Sequence, residues 1–288
     1  MMNNCKVVMT VAGSDCSGGA GIQADLKTMT AHSVYGMSVI TAITVQNTMG
    51  VIKSEKLSTE LVAKQFDAVC SDIMPDAIKT GMLFSEDIID VTASKIMEYK
   101  LQNIVVDPVL VSTSGNRLLK PSAESVLIEK MLPLATLITP NIPEAEALSG
   151  INIHGKDDMV LAASKLCQSS GSNVLIKGGH SDENADDLLY CTEEMADRVI
   201  TDGSRIKWFY GKRVNTSNTH GTGCTLSSAI ACNLAYGNDI ITAISSAKAY
   251  LYGALKSGLN LGNGNGPVDH CFNINREVFN KKPRLLFV

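Results

Sequence analysis

Short, almost unbroken apolar runs recur along this chain between longer stretches of helical pattern. That alternation restricts the fold more than any other feature. Ile104-Val105-Val106 and Val174-Leu175-Ile176 are the clearest runs. A strand that is apolar on both sides belongs in a sheet covered on both faces. Strands are predicted over 6–12, 38–46, 76–80, 103–107, 135–139, 173–177 and 187–191. Helices are predicted over 19–32, 59–71, 86–99, 122–131, 143–148, 156–168, 222–236 and 240–256. This order implies an α/β fold, a mostly parallel central sheet flanked by helices. In open sheets of this kind ligands bind beyond the carboxyl ends of the strands.

No Pro- or Ser-rich linker divides the sequence and no repeat is visible, so one domain over residues 1–288 is expected. The glycine-rich stretch 258–267 has the most flexible composition and lies too late to separate two domains. Lys plus Arg number 25 and Asp plus Glu 29, a net charge of −4. No basic run offers a nucleic-acid arm. The eight cysteines contain no C-x-x-C pair. They read as reduced thiols of a cytoplasmic protein rather than as a zinc or disulfide framework. No apolar stretch reaches the ~18 residues of a membrane span.

The strongest local signal is Asn218-Thr219-His220-Gly221-Thr222-Gly223-Cys224-Thr225, which runs straight into a helix. Leu226, Ile230 and Leu234 set one face of that helix on a core, and Gly237 is placed to end it. A helix start carries unpaired N–H groups and the positive end of the dipole. Gly221 and Gly223 clear the approach, and Thr222, Cys224 and Thr225 add polar groups to the same turn. The segment fits an anion site; an ordinary glycine loop entering a buried helix is the competing reading. A helix N-terminus also lowers a thiol pKa, which would let Cys224 take a proton from a substrate hydroxyl. Alternatively, Cys224 only fills space.

A second glycine cluster, 13–21, follows the first strand. Gly19-Ala20-Gly21-Ile22-Gln23-Ala24 matches the dinucleotide fingerprint formally, but about six residues separate strand from helix where that motif turns at once. No Gly-Lys-Ser/Thr exists for a Walker loop. In the following helix, Asp25 borders the apolar stripe of Ile22, Leu26 and Met29, a position more compatible with a ligand role than with plain solvation.

Seven separated segments then carry a specific resemblance: residues 12–28, Val-Gln-Asn-Thr (45–48), Lys-Thr-Gly-Met-Leu (79–83), Val-Asp-Pro-Val (106–109), Thr-Pro-Asn-Ile-Pro-Glu-Ala (139–145), Lys-Gly-Gly-His (177–180) and 218–225. In kind and order they resemble the hydroxymethylpyrimidine/phosphomethylpyrimidine kinases of the ribokinase superfamily. The final ~20 residues carry no match. The resemblance implies a three-layer ribokinase-like α/β fold, ATP and Mg²⁺ as cofactors, and two successive phosphoryl transfers onto a thiamine-precursor pyrimidine.

Residue roles follow from the resemblance alone. Asp25 and Gln46 would hydrogen-bond the aminopyrimidine, with Met82 and Val109 packed on its ring or, equally well, serving as core. Asn141 and Glu144 match an Asn-x-x-Glu element associated with phosphate and magnesium. Asp107 would share the metal and face ATP, and Lys177 would neutralise phosphate charge. A local cap and a solvent-reaching lysine are their plainer readings. Thr222 would bind ATP, and the turn of Gly221, Thr222, Gly223 and Cys224 would be catalytic. His180 and His220 receive no role. A homodimer is expected by analogy, with the edge near 49–56 contributing. The rivals are pyridoxal kinase activity on the same fold, a dinucleotide-dependent oxidoreductase, and a silent pyrimidine-binding regulator.

Overall fold

The computed structural model describes residues 5–110, 119, 121–179 and 184–274. One sheet of nine strands runs through them: β1 (Val7–Asp15), β2 (Tyr35–Asn47), β3 (Gly50–Lys56), β4 (Ala77–Thr80), β5 (Ile104–Val106), β6 (Leu137–Ile138), β7 (Asn173–Ile176), β8 (Asp187–Tyr190) and β9 (Ile206–Phe209). Their spatial order is β3-β2-β1-β4-β5-β6-β7-β8-β9. The middle, from β2 to β7, is parallel; β3 at one edge and β8 and β9 at the other are antiparallel.

Strand periodicity places successive side chains on opposite faces. Met9, Ile78, Val106, Ile138, Val174 and Leu188 point to one side. There they meet α2 (Thr59–Cys70), α3 (Glu86–Glu98), α4 (Pro121–Val126), α5 (Ile142–Ser149) and α6 (Lys156–Ser170), through side chains such as Phe66, Ile88 and Leu166. Val8, Ala77, Val105, Leu137, Leu175 and Leu189 point to the other side. That face is covered by α1 (Gly21–Ala31), α7 (Glu193–Val199), α8 (Thr222–Ala235) and α9 (Ile240–Ser257), through Met29, Ala196, Ile230 and Ile244. The expected three layers are present, and the β-branched runs are apolar throughout because both faces are dry.

Four elements differ from the sequence expectation. β3 was not expected: Gly-Val-Ile-Lys-Ser-Glu-Lys is mostly exposed, and it is a strand because its backbone pairs with β2. β9 similarly completes the far edge on β8. α7 is seven residues long, started by Thr192, whose hydroxyl accepts from Met195 N at 3.3 Å. The helix expected over 122–131 changes character partway, continuing after Val126 as a π turn over Leu127–Met131.

Candidate active site

The carboxyl ends of β1, β4, β5, β6 and β7 open on one cleft of about 1420 Å³. Its size exceeds the roughly 300–1,000 Å³ of a single small-ligand pocket and leaves room for two ligands. Nearly every residue singled out by the sequence lines it: Gln46 on β2, Met82 and Val109 after β4 and β5, Asp107, Asn141, Glu144 and Lys177 beyond β5, β6 and β7, and Gly221, Thr222, Gly223 and Cys224 at the start of α8, where Gly223 lies beside Lys177 and Asp107.

The helix start at Gly221 explains itself from the backbone upward. Gly221 has φ +81°, and no side chain caps α8. A Cβ here would stand 1.9 Å from the Gly19 carbonyl oxygen. Only glycine lets the chain make this turn against that loop. The two glycine clusters, separate in sequence, are therefore one construction. His220 joins them a second time, with Nε2 2.8 Å from Asp15 Oδ2.

Asp15 carries no signal in the sequence pattern. Its buried carboxylate accepts from Ser17 N (2.8 Å), Ser17 Oγ (2.7 Å), Gly19 N (3.1 Å) and Ala20 N (2.7 Å). Burial alone would raise its pKa; His220, the Ser17 hydroxyl and the loop amides outweigh that and hold it far below the usual carboxylate range. His220, for which no role was expected, is thus a structural tie.

A row of buried charges crosses the floor. Lys177 Nζ donates to Asp107 Oδ1 at 2.8 Å, and Ser227 on α8 and Thr139 after β6 complete the carboxylate's shell at 3.3 Å each. Burial pushes the Asp107 pKa up, yet Lys177 and then Lys79 hold it below the ordinary value. Lys177 is the mirror image: burial lowers it, and Asp107 and Glu144 raise it further. Both residues point to the strand-end edge, as expected.

Asn141 and Glu144 form a capping box at the start of α5. Glu144 N donates to Asn141 Oδ1 at 2.9 Å, and Asn141 N donates to Glu144 Oε2 at 2.8 Å. The Asn-x-x-Glu spacing is therefore a local structural device as well as part of the cleft wall. Burial pushes the Glu144 carboxyl up to about 7, with Lys177 opposing and Asp107 adding to the rise.

Two expectations need correction. Asp25 does not line the cleft. It is fully buried beneath it, bonded to Lys79 Nζ (2.9 Å to each oxygen), Thr10 Oγ1 (2.6 Å) and Ser228 Oγ (2.7 Å). At the border of the apolar stripe it forms an ion pair with Lys79, also wholly buried. The second correction concerns Cys224. Burial pushes its thiol up to about 11; Lys79 pulls down, Asp25 and Asp107 push up, and a bond with the Gly21 backbone pulls down. The dipole effect expected of a helix start is outweighed.

At the other end, Met82 is pinned by Thr41 Oγ1, which donates to its carbonyl at 2.7 Å. Its Cε packs on Gly13, where a Cβ would come within 2.4 Å. The Cys16 thiol brackets Gln46 from outside, 3.3 Å from Gln46 O and 3.5 Å from Gln46 N. The opposite reach of the cleft is lined by Tyr210, Lys212, Arg213, Lys248 and Tyr252, none of which the sequence pointed to. His180 lies outside the described residues.

Among the described residues no group of three or more His, Cys, Asp or Glu gathers to hold a metal. What the floor offers is two carboxylates, Asp107 and Glu144, beside an anion-receptive helix start. That donor set fits Mg²⁺, which keeps several waters and takes one or two carboxylates plus phosphate oxygens.

A family model described as phosphomethylpyrimidine kinase matches residues 15–269. A thiamine biosynthesis bifunctional protein of Geobacter sulfurreducens is 49% identical over 263 residues, 91% of this chain and 52% of that protein. The chain thus spans about half the length of that relative. The hydroxymethylpyrimidine/phosphomethylpyrimidine kinase of Bacillus subtilis is 42% identical, covering 91% of this chain and 93% of its own. Among solved structures, the Staphylococcus aureus pyridoxal kinase in complex with AMP-PCP superposes with a TM-score of 0.83 at 36% identity, covering 95% of this chain and 96% of that one.

Proposed function

The chain belongs to the phosphomethylpyrimidine kinase family, and from that premise we propose that it is an ATP-dependent phosphotransferase of thiamine biosynthesis, a single kinase unit. It phosphorylates the hydroxymethyl group of 4-amino-5-hydroxymethyl-2-methylpyrimidine and then the resulting monophosphate. The observation that carries the reading is one cleft lined together by Gln46, Met82 and Val109, by Asp107 and Lys177, and by the Gly221–Cys224 turn.

The Gln46 amide supplies both a donor and an acceptor for an aminopyrimidine edge. Met82 and Val109 give its ring an apolar bed. The backbone N–H groups at the head of α8 stabilise charge on the moving phosphoryl group, and Lys177 adds a cation beside them. Thr222, Asn141 and the Asp107 end of the floor face the ATP phosphates. Glu144 and Asp107 would hold Mg²⁺, which would supply further charge neutralisation. The substrate oxygen bonds to the γ-phosphorus as the bond from that phosphorus to the β–γ bridging oxygen breaks; ADP leaves, and the hydroxyl proton passes to a phosphate oxygen or to water. Because the transition state is loose, that proton can leave late. A protonated Cys224 thiol therefore serves to orient the alcohol rather than to deprotonate it.

Pyridoxal phosphorylation is the second reading, favoured by the closeness of the pyridoxal kinase fold. An ADP-release assay with hydroxymethylpyrimidine, its monophosphate and pyridoxal tests both. A higher kcat/KM for pyridoxal would overturn the substrate assignment, and ADP release that does not depend on either heterocycle would overturn the kinase assignment. No helix of the described residues is long and apolar enough to cross a membrane, and a cytoplasmic site of action goes with the proposed use of ATP. Exposed Met49 and Ile52 at the β3 edge support a homodimer through that edge, measurable by light scattering.

A further inference from the structure

The glycine-rich stretch 258–267, whose composition reads as slack, contains some of the most confined backbone near the cleft. Thr48 stands two residues beyond Gln46, in the turn between β2 and β3. Its Oγ1 accepts from Asn263 N and from Gly264 N, each at 3.2 Å. A Cβ on Gly264 would meet the Thr48 carbonyl oxygen at 2.1 Å. Just beyond, Gly266 N donates to Ser217 O at 3.2 Å and Gly266 O accepts from His220 N at 3.0 Å. Asn218 Nδ2 donates to Asn260 Oδ1 at 3.2 Å. Farther on, buried His270 sets Nε2 3.0 Å from Thr225 Oγ1, whose hydroxyl donates to Gly221 O at 2.8 Å.

One short run of chain thus grips the hairpin that carries Gln46 and, at its other end, the loop and first turn that carry the amide array. Within one chain such an anchor has a role, because β3 is an edge strand that pairs only with β2 among the described residues. Phosphoryl transfer depends on the separation of the two ends, since a misplacement of about 1 Å can cost roughly 100-fold in rate.

We propose that residues 262–270 are a strap that sets the distance between the heterocycle end and the phosphoryl end of the cleft, with Thr48 and Gly264 as its positioning residues. This rests on the kinase reading for its catalytic consequence, though not for its mechanical one. Neither residue lines the cleft.

The test compares wild type, Thr48→Val and Thr48→Ser in two measurements. In the ADP-release assay, Thr48→Val raises the pyrimidine KM and lowers kcat, for a combined loss in kcat/KM of about tenfold from two forfeited hydrogen bonds. The KM for ATP stays put, and Thr48→Ser restores the wild-type values. In amide hydrogen exchange without substrate, Thr48→Val speeds exchange at 217–221 as well as at 46–50. Wild-type kcat/KM in Thr48→Val, or faster exchange confined to 48, 263 and 264, would overturn the strap. A wild-type protein that releases no ADP with the pyrimidine would sink the substrate reading instead, and the exchange data would still decide the strap.

Discussion

Replacing Gly221 with alanine attacks the site at its tightest point. The new Cβ would lie 1.9 Å from the Gly19 carbonyl oxygen, whereas carbon and oxygen settle no closer than about 3.3 Å. The two loops must therefore part by about 1.4 Å. Alanine at φ +81° also costs about 1–2 kcal/mol of left-handed strain. Strain alone lowers stability; separation of the loops also moves the amides from the path of the phosphoryl group. A displacement of that size predicts a fall in kcat of about 100-fold, reaching about 1,000-fold if one amide contact is lost. Gly237 supplies the control. It has φ +83° at the far end of the same helix, and a Cβ added there would meet nothing within 4 Å. Gly237→Ala carries the same backbone strain and leaves the cleft alone. Both variants should melt a few degrees low by calorimetry, but only Gly221→Ala should lose turnover in the ADP-release assay. If Gly221→Ala keeps kcat within threefold of wild type, or Gly237→Ala loses as much, the amide array is not the element that stabilises transfer.

The Asp15 carboxyl is held low, so the unfolded chain binds the extra proton in acid. Its stabilisation is complete above the unfolded value of about 3.9 and is lost as pH falls below it. Melting temperatures taken from pH 6 to pH 3 should therefore drop more steeply in wild type than in Asp15→Asn, and parallel curves would refute the assignment. With its thiol at about 11, Cys224 is protonated near neutrality. The kcat profile should be flat from pH 7 to pH 9, and Cys224→Ala should lower kcat far more than it weakens ATP binding. A tenfold rise in kcat per pH unit would restore the thiolate as base. Asp25→Ala strands the Lys79 ammonium in the core and should cost about 3–5 kcal/mol in denaturant melts, most of it regained in Asp25→Ala/Lys79→Met. A change confined to the pyrimidine KM would instead put Asp25 against the substrate.

Local chemistry was legible where a residue's reason lies close by in the chain. Ile104-Val105-Val106 announces a doubly covered strand because both its faces are packed. Gly221 and Gly223 announce a helix start open to an anion because the reason is the turn itself. β3 could not be read, since its backbone is extended only by virtue of β2. Asp15 was invisible for a similar reason: His220 lies 205 residues away, and no spacing rule joins them. Asp25 shows a subtler limit. Its burial was foreshadowed by the stripe it borders, but its partner Lys79 is 54 residues on, and a buried carboxylate without a visible partner reads as a ligand. Asn141 and Glu144 were read only as a family element; their capping box appears in the structure, which also leaves both side chains at the cleft.

Under the proposed reading, the buried charges would give a metal a place in the work on ATP. Asp25 is matched by Lys79 and Asp107 by Lys177. Glu144, pushed up to about 7, is only partly ionised near neutrality. Lys177 and the Lys79 beneath it are therefore each engaged by a protein carboxylate, while Lys212 and Arg213 line another part of the cleft. A triphosphate brings roughly four negative charges that this balance does not cover. The helix amides supply only partial charge, and Lys212 and Arg213 of the cleft wall add to it. A divalent cation arriving with the phosphates would do two things at once: it would neutralise them, and it would favour the ionised form of Glu144 through its field. Under the proposed reading, burial raises the Glu144 carboxyl in the protein alone, and a cation beside it would favour the ionised form that could join Asp107 in holding the metal.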